Sequence, residues 1–180
     1  MDNKKLSIPD CGNFTSSKCT LVNKKSTLND VYREYTFEAN SFTMLPEQLI
    51  NETKECIKQI LNNCVKNKVA VKVYGTMECI FDKIQMPSGL ADTSVTSYFS
   101  TISVPIQGKG DIDNFFEGEL IKFNDEVEKF TNLGSNWILQ ECKALTIRLV
   151  RFKPGYYLNH QSDDSDDDSD ESDGEWRLFN

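Results

Sequence analysis

Val31 to Phe42, VYREYTFEANSF, alternates apolar and polar side chains with the period of a strand. Val31, Tyr35, Phe37 and Ala39 fall on one face, and Glu34, Thr36 and Glu38 on the other. The period then changes. In LPEQLINETKECIKQILNNCVKNK, Leu49, Ile50, Thr53, Cys56, Ile57, Ile60, Leu61, Cys64 and Val65 recur at steps of three and four, which predicts an amphipathic helix. Pro46 suits its first position and Glu47 the positive end of its dipole, while Lys66 and Lys68 suit its last turn. Val69 to Phe81 alternates again, with Gly75 as a candidate bulge. Pro87, Ser88 and Gly89 supply turn chemistry before a third strand, Val95 to Ile106, with Tyr98, Ile102, Val104 and Ile106 on one side. A second helix, capped by Asp111 or Asp113, carries Ile112, Phe115, Phe116, Leu120, Phe123, Val127 and Phe130 on one stripe. The segment from Trp137 to Lys153 ends in a fourth strand, with Leu145, Ile147 and Leu149 inward and Thr146, Arg148 and Val150 outward.

The order is therefore strand, helix, strand, strand, helix, strand. It predicts an α+β domain of ferredoxin-like β-α-β-β-α-β order, two helices on one face of a four-stranded antiparallel sheet. A different α+β sandwich is the rival architecture. The domain spans 29–160. Before it, residues 1–28 lack periodicity and hold five lysines against two aspartates, so they read as a flexible, mildly basic arm. After it, residues 161–180 form an acidic tail with no apolar surface to bury until Trp176, Leu178 and Phe179, which reads as disordered.

Charge separates these parts. The chain's net charge is −8, and the tail alone holds nine acids against one base. The rest of the chain is formally neutral. A neutral core lowers the prior for a strong phosphate-backbone binder without excluding a local basic patch. The candidate phosphate contacts are Lys4, Lys5, Lys24, Lys25, Arg148, Arg151 and Lys153, each weighed against ordinary solvated surface. Sequence-specific RNA reading needs aromatics on the open sheet face. If Tyr35 and Phe37 face the helices, Glu34 and Glu38 lie on that face instead and repel phosphate.

The six cysteines include no C-x-x-C spacing and there is one histidine, His160, so no metal site is expected. Cys56 and Cys64 lie on a helical core stripe. Paired carboxylates, phosphate loops and nucleophile motifs with convincing spacing are missing, so the chain reads as a non-enzyme without a cofactor. MDNKKLSIPD holds no apolar signal core, and no run reaches membrane-spanning length. The expectation is an intracellular protein, nuclear or cytoplasmic, with free thiols and no membrane partner.

One segment carries a resemblance. Phe130 to Leu158, FTNLGSNWILQECKALTIRLVRFKPGYYL, resembles a segment recurring in reading frames of Polinton/Maverick-type elements and related insect DNA viruses. Those frames lie upstream of, or fused to, a protein-primed family B DNA polymerase. Their pattern is a helix ending in a Gly-Ser-Gly-Trp-like turn, an apolar strand, a basic residue, an aromatic and a Pro-containing exit. Gly134, Ser135 and Trp137 match the turn, with Asn136 where Gly is commoner. Ile147, Leu149, Arg151, Phe152 and Pro154 match the strand and its exit. The likeness extends loosely from Phe42 onward. It departs in a shortened stretch after the exit, where the acidic tail replaces a nuclease or polymerase region. The resemblance implies a viral or mobile-element origin and carries over no catalytic residue. From the residues alone, Gly134 reads as a helix C-cap and Trp137 as a core anchor.

The tail has three compatible readings. It confers solubility; it docks partners; or it is phosphorylated. In layout it resembles the acidic, aromatic-ended tails of bacterial and phage single-stranded-DNA-binding proteins, which dock replication enzymes. Here Phe179 is followed by Asn180, so it cannot offer its own carboxylate. Trp176, Leu178 and Phe179 are the candidate partner contacts. Ser162, Ser165, Ser169 and Ser172 are flanked by acids, as acidophilic kinases prefer. These features point to a non-enzymatic DNA-replication accessory protein of a virus or mobile element. Its domain would hold single-stranded DNA or self-associate as a homo-oligomer, and its tail would recruit a replication protein. The alternative is an interaction or structural adaptor without nucleic-acid affinity.

Overall fold

The structure is a computed structural model and describes residues 8, 12–27, 31–40, 44–83, 93–132 and 136–154. Among them, six strands form one antiparallel sheet. They are β1 (Cys19–Thr27), β2 (Tyr32–Ala39), β3 (Val71–Lys83), β4 (Ser94–Ser100), β5 (Val104–Ile106) and β6 (Trp137–Arg151). The helices are α1 (Pro46–Lys66), α2 (Lys109–Asn114) and α3 (Lys122–Asn132), with a π-helical turn, Phe115–Leu120, between the last two.

The first helix forms as its pattern predicts. Pro46 opens it, and the Gln48 side chain accepts the Leu45 N–H at 3.0 Å. Its buried stripe includes Leu49, Ile57, Ile60, Leu61 and Cys64. It stops because Lys68 turns left-handed, φ 56°. The N–H groups of Lys68 and Val69 then close on the carbonyls of Val65 and Cys64. That is the Schellman arrangement, with lysine where glycine is usual. The second helix starts at Lys109, and Asp111 caps it from inside, its Oδ2 accepting the N–H groups of Gln107 and Gly108.

The ferredoxin-like expectation is overturned. The sheet has six strands rather than four, in the order β1-β2-β6-β3-β4, with β5 following β4 along the same edge of β3. The sheet extends past β2 because Cys19–Thr27, inside the segment read as an arm, pairs with it along its whole length. A register shift between Leu21 and Asn23 hides that strand from a period-two reading. The predicted third strand is split. Val95 and Phe99 pack on the core, and Tyr98 is exposed. The irregular residues 101–103 then invert the parity, so Val104 and Ile106 turn inward and Ile102 is left outside.

Both helical layers cover one face. There Tyr35, Phe37, Val71, Val73, Phe81, Leu145, Ile147 and Leu149 are buried, as the alternation predicts. Gly75 lets a helix approach β3. A Cβ at this position would lie 3.1 Å from Leu120 Cδ2, with Ile147 and Phe123 carbons at 3.5 Å. Gly75→Val is therefore expected to cost about 1–3 kcal/mol by overpacking. Urea unfolding, with the midpoint falling at unchanged slope, is the check.

Candidate functional site

The other face of the sheet has no helix on it among the described residues. Residues directly opposite in register share a face, so its rows can be read across the strands. One row runs Lys25, Glu34, Arg148 and Tyr74; the next runs Asn23, Thr36, Thr146, Thr76 and Ser100.

Arg148 stands at the centre because β6 lies between β2 and β3. Its Nε donates to Glu34 Oε2 at 2.8 Å, and its Nη1 to Thr76 Oγ1 at 2.8 Å. Its guanidinium carbon lies 5.7 Å from the Tyr74 ring centre. Tyr32 donates its hydroxyl to the same Glu34 oxygen at 2.8 Å, and Lys25 Nζ lies 3.6 Å from Oε1. Hydroxyl pairs continue the network, Thr36 with Thr146 at 3.2 Å and Thr76 with Ser100 at 3.0 Å.

Burial pushes the Glu34 carboxyl up, but the hydrogen bonds from Tyr32 and Arg148 and the charges of Arg148 and Lys25 outweigh it. The carboxyl ends below its ordinary value and stays ionised. Tyr32 is pushed up to about 12, by burial first and then by its bond to Glu34. Burial opposes the charge of Arg148, yet Glu34 holds its pKa above the ordinary value. The carboxylate is thus an ion-pair anchor, and the charge it would turn toward phosphate is already answered by two cations.

Beside this row, Lys72 Nζ lies 5.8 Å from the Phe152 ring centre. Two ring–cation pairs therefore adjoin at the end of the sheet where β6 finishes. At the other end of the same face, exposed apolar side chains alternate with the carboxylates of Glu78, Asp82 and Glu141. Tyr98 and Ile138 are exposed there, with Ile80 between them in sequence register.

Of the predicted phosphate contacts, Lys25 and Arg148 share this face. Lys24 pairs in register with buried Tyr35, and Arg151 with buried Val71, which puts both on the helix side. Lys153 is exposed just past β6. Lys4, Lys5, Ser162, Ser165, Ser169, Ser172, Trp176, Leu178 and Phe179 lie outside the described residues, as do Gly134 and Ser135. Trp137 is half-buried and packs on the core. The sequence reading missed Lys72, Tyr74, Phe152 and Tyr32. Lys72 and Tyr74 were legible as the outward half of the Val69–Phe81 alternation, whose inward half includes Val71 and Val73.

A groove of about 700 Å³ lies elsewhere, between residues 12–14 and α1. Its lining is one acid, one base and uncharged side chains such as Gln59 and Asn62. Its one ring, Phe14, packs edge-on against Phe37 at 5.8 Å. It offers less to a polyanion than the open face. Among the described residues, no group of three or more His, Cys, Asp or Glu is placed to hold a metal ion. No described helix is long and apolar enough to cross a membrane. No known protein family, no curated protein and no solved structure matches this chain.

Proposed function

We propose that this chain is a non-enzymatic DNA-replication accessory protein of a virus or mobile element that binds single-stranded DNA on the open face of its sheet. The observation that carries the reading is the adjoining pair of ring–cation contacts, Arg148 with Tyr74 and Lys72 with Phe152. Single strands bind where cations follow the backbone and aromatic rings meet the bases. Lys25 and Lys153 extend the positive charge along the same end. The resemblance of Phe130 to Leu158 to frames beside protein-primed polymerases supports the replication context. In this reading the acidic tail recruits a replication partner through Trp176, Leu178 and Phe179, and repels or displaces DNA when idle.

The competing reading, an adaptor without nucleic-acid affinity, is favoured by two exposed apolar side chains at the other end of the face, Tyr98 at 65% and Ile138 at 49%, with carboxylates rather than cations beside them. Binding of the full chain and of a Met1–Gln161 truncation to labelled single-stranded DNA across a salt series decides between them. Three phosphate contacts would give a slope of about −2 in log affinity against log salt. The truncation is expected to bind more tightly, and Lys72→Glu to bind several-fold more weakly than its parent. No affinity of either chain at low salt would sink the DNA-binding reading and leave the adaptor.

A further inference from the structure

Cys79 and Cys142 stand directly opposite each other on β3 and β6, the two most extensively paired strands. Their Sγ atoms are 3.4 Å apart, and both residues are fully buried. A bulge creates this contact. Leu145 faces the helices, so strict alternation would send Lys143 inward and Cys142 to the open face. Lys143 has no partner in the β3 register, and its ammonium lies on the open face, 3.3 Å from Glu78. The extra residue turns Cys142 inward, onto Cys79. A second register shift falls between Ile80 and Phe81. The two thiols thus meet on a short stretch of ladder that is interrupted on both sides.

Directly opposed residues of an antiparallel pair have Cα atoms roughly 4.5–5.5 Å apart. That lies inside the range a disulfide spans, about 4.4–6.8 Å. We propose that Cys79 and Cys142 are a peroxide-oxidisable pair that closes into a cross-strand disulfide within the folded protein. The oxidant is hydrogen peroxide. One thiolate attacks a peroxide oxygen, breaking the O–O bond, and becomes a sulfenic acid as water leaves. The second thiol attacks that sulfur, the S–S bond forms, and a second water leaves. Two thiols lose two electrons and two protons, and one hydrogen peroxide becomes two waters.

The contact with Cys79 and then burial hold the Cys142 thiol far above the ordinary range. The reaction is therefore slow at neutral pH and faster in mild alkali, since the thiolate is the nucleophile. The cysteines are 63 residues apart, and the segment between them carries β4, β5, α2 and α3. Closing it staples the second half of the domain to the middle of the sheet. The proposal is independent of what the open face binds.

The test is hydrogen peroxide on the folded full chain at mildly alkaline pH, followed by unfolding, alkylation and peptide mapping by mass. The expected product is a linked pair of Cys79 and Cys142 peptides, lighter by two hydrogens and separated again by a thiol reductant. The melting temperature should rise by about 5 °C or more. Cys79→Ala and Cys142→Ala should each lose the linked peptide, the remaining thiol going on to sulfenic and sulfinic acid. Recovery of both cysteines fully alkylated would overturn the proposal, and so would a linked peptide that forms only when peroxide is added in denaturant.

Discussion

Phe81→Ala is expected to lower the stability of the domain by about 3–5 kcal/mol, the largest single loss among the changes considered. The Phe81 side chain is fully buried on β3. Its ring lies 4.4 Å from that of Phe130 on α3 and 6.1 Å from that of Phe99 on β4, and the last two are 6.0 Å apart. Three elements therefore meet on one side chain. Backbone pairing adds Leu139 of β6 and Val95 of β4 as its register neighbours. Truncation removes the ring's own burial and leaves a cavity that strands on both sides hold open. A domain with about 5–15 kcal/mol in hand would lose roughly a fifth of it or more. Urea titration should show the midpoint falling with the slope kept. Phe99→Ala, at a site only partly buried, should cost less. Phe81→Leu should cost under about 1.5 kcal/mol if filled volume is what matters. A loss for Phe81→Ala no larger than that would mean the sheet collapses around the gap and the three-ring contact is not what ties α3 down.

The legible parts of this fold are those where period and environment coincide. In α1 the buried stripe Leu49, Ile57, Ile60, Leu61 and Cys64 follows the helical repeat without interruption. In the C-terminal half of β6, Leu145, Ile147 and Leu149 alternate with Thr146, Arg148 and Val150 and do what alternation says. Each failure sits at a break in phase. The bulge at Lys143 turns both Cys142 and Leu145 inward, and residues 101–103 do the same for Phe99 and Val104. Period two cannot see across an extra residue. β1 was invisible for a second reason. An edge strand with one neighbour buries few side chains, and from Asn23 to Thr27 none is buried. Its lysines look the same on a strand as in a coil. The candidate site was half legible: Arg148 faces outward by parity, but its neighbours Glu34 and Tyr74 come from strands far apart in the chain. Only the sheet order puts them side by side.

Arg148→Ala should lower stability by about 1–3 kcal/mol, with more of the loss coming from what it leaves behind than from the bond it removes. Glu34, its side chain 12% exposed, would keep Tyr32 and Lys25 but lose the Nε donor 2.8 Å away. Thr76 would lose a donor too and keep Ser100. Breaking one half of a partly buried pair strands a charge; neutralising both halves does not. The double variant Arg148→Ala with Glu34→Gln is therefore expected to recover part of the loss, a coupling a double-mutant cycle reads directly. The pH dependence has a fixed sign. The carboxyl of Glu34 is held below its ordinary value in the folded protein, chiefly against its burial, by Tyr32, Arg148 and Lys25. Its contribution is thus present above the unfolded carboxyl range, near pH 4.5, and is lost as pH falls through the lower folded value. The gap between wild type and Arg148→Ala should narrow as the solution is acidified below pH 4.5. A gap that stayed constant there would show that Arg148 stabilises through its packing on Tyr74 and its bond to Thr76. Under the DNA-binding proposal the same variant separates two roles. A guanidinium already claimed by Glu34 has less to give a phosphate, so Arg148→Ala should cost stability first and affinity second, while Lys72→Glu should do the reverse.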